Sequence, residues 1–227
     1  TDRTTVEKAE KMKVGTCLNP LHTALAVYGC LLGYTSIAAE MGDADLKALV
    51  EQIAAESLPV VEDPGILSPR AFIDEVLHER FPNPAIPDTP QRIAADTSQK
   101  LPVRYGGTLR RYARQSEQAL AGLEFAPLVF AGWCRYLLGV DDRGNAMPVS
   151  PDPMLPQLQA HLKGIEVGRP DSLAGQLRPI LSNAALFGVD LYAAGLGERT
   201  EEMFRDMLAG PGAVRATLHR NCACKQP

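Results

Sequence analysis

Three pairs in this chain, Asn19-Pro20, Ser68-Pro69 and Thr89-Pro90, set a residue that favours helix caps directly before a proline and ahead of a helical pattern. Asn, Ser and Thr are preferred N-caps, and proline is tolerated at the first helical position, where its missing N–H would go unpaired in any case. Apolar residues at helical spacing follow each pair. After Pro20, the residues Leu21, Ala24, Leu25, Tyr28, Leu31 and Leu32 share one stripe, which Gly33 can end. After Pro69 come Phe72, Ile73, Val76 and Leu77. Asp43 can cap a further helix with Leu46, Leu49, Val50 and Ile53 on one face, and Thr4-x-x-Glu7 reads as a capping box opening a charged segment to about Lys13. Residues 80–90 cannot be helical throughout, because Pro82, Pro84 and Pro87 each disfavour helix at the residue before them, and either Asp88 or Thr89 caps the next helix.

Helical patterns resume over about 103–120, and 123–138 is apolar on all sides, as a central buried helix would be. Residues 140–153 read as a mobile surface loop, and shorter helices are expected near 154–163, 173–185, 200–209 and 212–220. Strand signals are weak: there is no Asn-Gly or Asp-Gly hairpin and no long β-branched alternation. The expected fold is mainly α, a single multi-helix domain with little or no sheet, and no internal repeat is present. At 227 residues and 45% apolar composition the chain can bury a substantial core.

A net charge of −4 argues against nucleic acid as a partner. The longest apolar run is too short for a membrane span, and no apolar leader precedes residue 10. Five scattered cysteines, an odd number, fit a reducing cytoplasm better than a disulfide framework. His219, Cys222 and Cys224 offer three ligand types, but not the paired spacing of a structural zinc site, and no metal is expected. Asp141-Asp142 and the cluster Arg110, Arg111 and Arg114 read as solvated surface.

Unusual chemistry gathers in EKMKVGTCLNPLHTAL, residues 10–25. A lysine can take up or release a proton, an Asn amide can hold a substrate oxygen, and a His near a helix N-terminus is pushed toward its neutral form. Lys13, Asn19 and His22 can therefore serve together on one alcohol or carbonyl oxygen. The competing reading is structural: Asn19 is a cap, His22 a first-turn residue, and the lysines a solvated face.

This stretch resembles the active-site signature of the polyol-specific long-chain dehydrogenases, the family of mannitol 2-dehydrogenase, fructuronate reductase (D-mannonate oxidoreductase) and tagaturonate reductase. The pattern is a Lys, then an Asn, then two residues and a His, here Lys13, Asn19 and His22. The likeness continues in RFPNPAIPDTPQRIAADTSQKLP, residues 80–102, and more weakly in FGVDLYAAGLGE and GAVRATL. It thus covers essentially the whole chain as the family's C-terminal helical domain, of the 6-phosphogluconate-dehydrogenase-like type.

The resemblance implies a substrate-binding and catalytic domain of an NAD- or NADP-dependent enzyme, with the coenzyme held by a preceding Rossmann domain. It implies a sugar-acid or polyol substrate, foremost the D-mannonate/D-fructuronate pair. It makes Lys13 the general acid/base and Asn19 and His22 the oxygen-binding partners, with Arg80 and Asn83 as substrate contacts. One departure stands out: five residues separate Lys13 from Asn19 where the family usually has four. Either the linker bulges or Lys11 competes for the role. Pro20 also stands where a Gly is common.

No Gly-rich dinucleotide fingerprint occurs in residues 1–227, so no cofactor-binding residue is expected here and the chain alone should be inert. An exposed apolar patch near residues 10–25, with possible self-association through it, is expected from the missing coenzyme half. The reading of another class is a helical interaction module without chemistry, in which Lys13, Asn19 and His22 would diverge in space.

Overall fold

The computed structural model describes residues 2–223. Its elements are α-helices joined by turns: α1 (Arg3–Glu10), α2 (Asn19–Leu32), α3 (Ile37–Glu40), α4 (Ala44–Ser57), α5 (Pro69–Glu75), α6 (Pro90–Ala94), α7 (Thr97–Arg104) and α8 (Gly106–Gln115). They continue as α9 (Glu117–Ala121), α10 (Phe125–Tyr136), α11 (Leu155–His161), α12 (Arg178–Leu181), α13 (Ala184–Phe187), α14 (Gly197–Met207) and α15 (Ala213–Ala223). Among the described residues β structure is limited to two isolated bridges, Val140 with Ala146 and Glu166 with Arg169. The mainly α expectation holds, and one hydrophobic core runs from Met12 to Cys222.

Two helices form the centre. All of α10 is buried, and so is α2 from Pro20 to Leu31. An all-round apolar helix can only sit inside a layer of others. They approach closely because Gly132 has no side chain: a Cβ there would lie 2.7 Å from Tyr28 Cζ. The Tyr28 hydroxyl donates to Leu128 O at 2.8 Å, satisfying its one buried polar group. On the other side of α2, Gly29 faces the Glu40 carboxyl and Pro90 at distances that leave no room for a Cβ.

The caps at Asp43, Ser68 and Thr89 are as the sequence suggests, and Gly33 ends α2 in the left-handed conformation at φ 80°. Two other expectations fail. The cap of α1 is Asp2, whose carboxylate accepts from Thr5 N at 2.9 Å, while Glu7 pairs with Arg3. Asn19 is no cap at all. Residues Lys11–Leu18 are π-helical and carry α1 into α2 without a break; Asn19 N donates to Val14 O, five residues back. A π turn takes up an extra residue and widens the helix, which lets Pro20 pass with no N–H to place.

The segment 140–153, expected to be mobile, is tied down along its length. The buried Arg135 guanidinium donates to Val140 O at 2.6 Å, Asp141 O at 3.2 Å and Met207 O at 3.2 Å. Asp142 caps α15 by accepting from Val214 N at 2.8 Å. Asp152 accepts from Ser98 N at 2.8 Å, holding the start of α7. The helices expected over 103–120 and 173–185 are each broken into shorter pieces, at Tyr105 and Ser116 and between Leu181 and Ala184.

Candidate active site

His22 sits near the start of α2 and is 8% exposed. Four segments meet around it. Phe81, just after α5 and its π-helical extension Val76–Arg80, packs its ring 5.2 Å from the imidazole. Asp88, from the proline-rich loop, brings Oδ2 to 3.4 Å from Nε2. Arg92 on α6 donates to the other oxygen of Asp88. Arg104, at the end of α7, donates from Nη1 to Thr23 Oγ1 at 2.6 Å. The Thr23 hydroxyl in turn donates to Asn19 O at 3.0 Å.

Burial lowers the pKa of His22 to about 4; Asp88 opposes this, while Arg104, Arg80 and Arg92 reinforce it. The ring is neutral at physiological pH, as expected. The cause differs from the expectation, because with α1 continuous into α2 there is no helix N-terminus at Asn19. Although Asp88 is near, Nε2 has no hydrogen bond, so a buried polar atom of the ring is left without a partner. Such atoms carry a cost that a ligand can remove.

Asn19, three residues before His22, is half-buried. Its side chain makes no capping bond, so the structural role that would account for it is absent. It lines a groove of about 690 Å³, together with Lys11, Val14, Val103, Arg110 and Arg111. Val14 and Val103 are 49% and 69% exposed. The exposed apolar patch expected near residues 10–25 is therefore confined to the π-helical turn and the facing α7, because 20–31 are buried.

Lys13 lies on the π-helical segment, with Nζ 5.2 Å above the Phe72 ring of α5. Among the described residues no hydrogen bond or ion pair joins it to Asn19 or His22. Lys11 points to Glu62 instead, at 3.7 Å, sharing that carboxylate with Lys8 and Arg111. Arg80 is exposed but close enough to His22 to act on its charge state. Asn83 is exposed, and its side-chain oxygen accepts from Ala85 N at 2.9 Å, an Asx turn that shapes the loop.

Reading the sequence for chemistry passed over Thr23, Asp88, Arg92 and Arg104. Asp88 and Arg92 lie in the segment 80–102 and Thr23 in the segment 10–25, the two stretches that carry the resemblance, while Arg104 lies just outside both. Asp96 is left-handed at φ 53°, alone among the described non-glycine residues, and Lys100 Nζ caps the end of α6 by donating to Ile93 O and Ala95 O. At the far end of the chain His219 Nδ1 lies 2.9 Å from Asp45 Oδ1 and Cys222 is buried, while Cys224 falls outside the described residues. No cluster of three potential metal ligands occurs among the described residues, and no described helix is long and apolar enough to cross a membrane.

Comparison with known proteins identifies the family. Residues 5–202 match the family model of the mannitol dehydrogenase C-terminal domain. A D-mannonate oxidoreductase of Thermotoga maritima is 57% identical over 218 residues, which is 96% of this chain and 40% of that protein. A mannitol 2-dehydrogenase of Emericella nidulans is 36% identical over 199 residues, 84% of this chain and 35% of its own length. The solved ternary complex of Pseudomonas fluorescens mannitol 2-dehydrogenase with NAD and D-mannitol superimposes with a TM-score of 0.80 at 27% identity, covering 100% of this chain and 42% of that one. The chain thus spans about 40% of the length of the relatives it matches. On the match of the family model and the 57% identity, the chain belongs to the mannitol dehydrogenase C-terminal domain family.

Proposed function

We propose that this chain is the substrate-binding and catalytic half of an NAD(P)-dependent oxidoreductase that interconverts an aldonate and its keto form, D-mannonate and D-fructuronate. The observation that carries the reading is the pairing of two uncommitted polar groups about one turn apart: the Nε2 of His22, buried and without a partner, and the carboxamide of Asn19, released from capping by the π-helical turn. Together they can hold one oxygen, the Asn as donor and the neutral imidazole as donor or acceptor according to its tautomer. Lys13 takes the hydroxyl proton on oxidation and returns it on reduction. Arg80 contacts the hydroxyls or carboxylate of the substrate, and Asn83 shapes the loop beside it.

The relatives exceed this chain by more than its own length, which supports a preceding nucleotide-binding domain. The groove beside Asn19 suits one wall of such a coenzyme site: exposed Val14 and Val103 match an aromatic ring face, and Lys11, Arg110 and Arg111 match phosphate charge. When bound, the nicotinamide supplies or accepts the hydride. Four buried, unbridged thiols (Cys17, Cys30, Cys134 and Cys222) support a reducing, cytoplasmic setting.

The test is turnover of D-mannonate with NAD and with NADP by the polypeptide carrying both halves. Lys13→Ala should depress kcat by at least ~100-fold with little change in KM, the usual worth of a general acid/base. Lys11→Ala should fall short of that by ~10-fold or more. An unchanged kcat in Lys13→Ala removes that residue from the mechanism, and a larger loss in Lys11→Ala transfers the role to its neighbour.

A further inference from the structure

Of the three arginines around His22, Arg80 is exposed, whereas Arg92 and Arg104 differ in their partners. Arg92 has Asp88 as its partner. The deeply buried Arg135 has three carbonyls. Arg104 has no carboxylate partner among the described residues; its one side-chain hydrogen bond is to the Thr23 hydroxyl. A guanidinium carries five donors, so most of its capacity is unspent. Burial disfavours its charge, and no carboxylate offsets the effect. A half-buried cation without a counter-charge carries a desolvation cost, which an anionic ligand can offset.

The surroundings strengthen the point. Thr23 holds the guanidinium one residue along the helix from His22, and the Thr23 hydroxyl is itself spent on Asn19 O, so the arginine cannot be drawn away without breaking a chain of hydrogen bonds. Arg80, Arg92 and Arg104 all act on His22 electrostatically against the single carboxylate of Asp88. A neutral polyol brings only hydroxyls to such a place. A carboxylate brings one negative charge and two acceptor oxygens, which suit the fork of an arginine.

We infer that Arg104, positioned by Thr23, receives the carboxylate of an acidic sugar, so that this site selects an aldonate over the matching neutral polyol. The inference rests on the oxidoreductase reading and refines it to one residue and one charge. The shared chemistry is an anionic oxygen pair, and coenzyme phosphate is the other possible source of it.

The experiment compares kcat/KM for D-mannonate with that for D-mannitol, and KM for the coenzyme, in the two-domain polypeptide. Arg104→Gln should lower the acid-to-polyol ratio ~10- to 100-fold, mainly through KM for the acid, as expected for a hydrogen bond to a charged group. Arg104→Lys should restore part of it. Thr23→Val, which keeps the side-chain shape, should shift the ratio the same way by a smaller factor. An unchanged ratio, an equal fall for both substrates, a wild-type preference for the polyol, or a rise confined to coenzyme KM would overturn the assignment. If the wild type turns over neither sugar, the oxidoreductase reading fails by itself. Calorimetric titration with D-mannonate then decides on Arg104: binding by the wild type and not by Arg104→Gln supports the carboxylate site, and absence of binding by the wild type rejects it.

Discussion

His22 Nε2 lies 3.4 Å from Asp88 Oδ2, yet the two share no hydrogen bond. The imidazole is held beside a carboxylate without being consumed by it. Asp88 is turned instead toward Arg92, and its backbone carbonyl accepts from Ile37 N at 3.0 Å, which fixes the loop. The result is a neutral ring with an open nitrogen, poised between one acid and three arginines.

This environment sets the titration of His22. Its native pKa, about 4, is below the ordinary 6.5, so the native state binds fewer protons than the unfolded chain between these values. Stability from this group is fully present above pH 6.5 and is lost as pH falls through about 4. The loss should be on the order of 3 kcal/mol. Urea melts from pH 7 to pH 4 should show a slope that His22→Gln flattens. A slope identical in the variant would mean that the ring is solvated.

Glu40 gives the opposite sign. Its carboxyl is fully buried, both oxygens lack partners, and burial, with Asp43 second, raises its pKa to about 9. Its contribution is present below pH 4.5 and is lost as pH rises through about 9. Glu40→Gln, which mimics the protonated form, should raise Tm at pH 8 and change it little at pH 4.5. An equal change at both pH values would contradict the assignment.

Gly132 tests the central contact. A Cβ would stand 2.7 Å from Tyr28 Cζ and 2.9 Å from its hydroxyl oxygen, in a helix with no exposed side to relax toward. Gly132→Ala should cost about 1–3 kcal/mol despite alanine's better helix propensity. Chemical denaturation followed by Trp133 fluorescence measures it. A stabilised variant would show that α2 and α10 are not in this register.

Phe72 is the handle on Lys13. With Nζ 5.2 Å over its ring, the aromatic face restrains the ammonium at the π-helical turn. Phe72→Leu should lower kcat about 3- to 10-fold with a smaller change in KM, the pattern of a lost orienting contact. A kcat equal to that of the wild type would leave the ring a packing role only.

The helices were legible because their signals are local. Periodicity marks which face is apolar, and a short polar side chain before a proline marks a start; the caps at Asp43, Ser68 and Thr89 and the all-round burial of α10 need nothing more. The same local logic misled at Asn19, where a cap-then-proline pair lies within continuous helix. Whether a proline starts a helix or is carried through it depends on whether the preceding turn can open to i−5 bonding, and no single residue pair encodes that.

The residues proposed for chemistry divide in the same way. Asn19 and His22 come from one turn of one helix, so spacing in the sequence was enough to bring them together. Asp88 and Arg104 converge on them only through packing, since Arg104 reaches Thr23 across 81 residues. Charge state depends on packing too. His22 is an ordinary histidine until α2 is sealed beneath Phe81 and surrounded by Arg80, Arg92 and Arg104. Desolvation and long-range charge are properties of the assembled core, whereas helix, cap and face are properties of the chain.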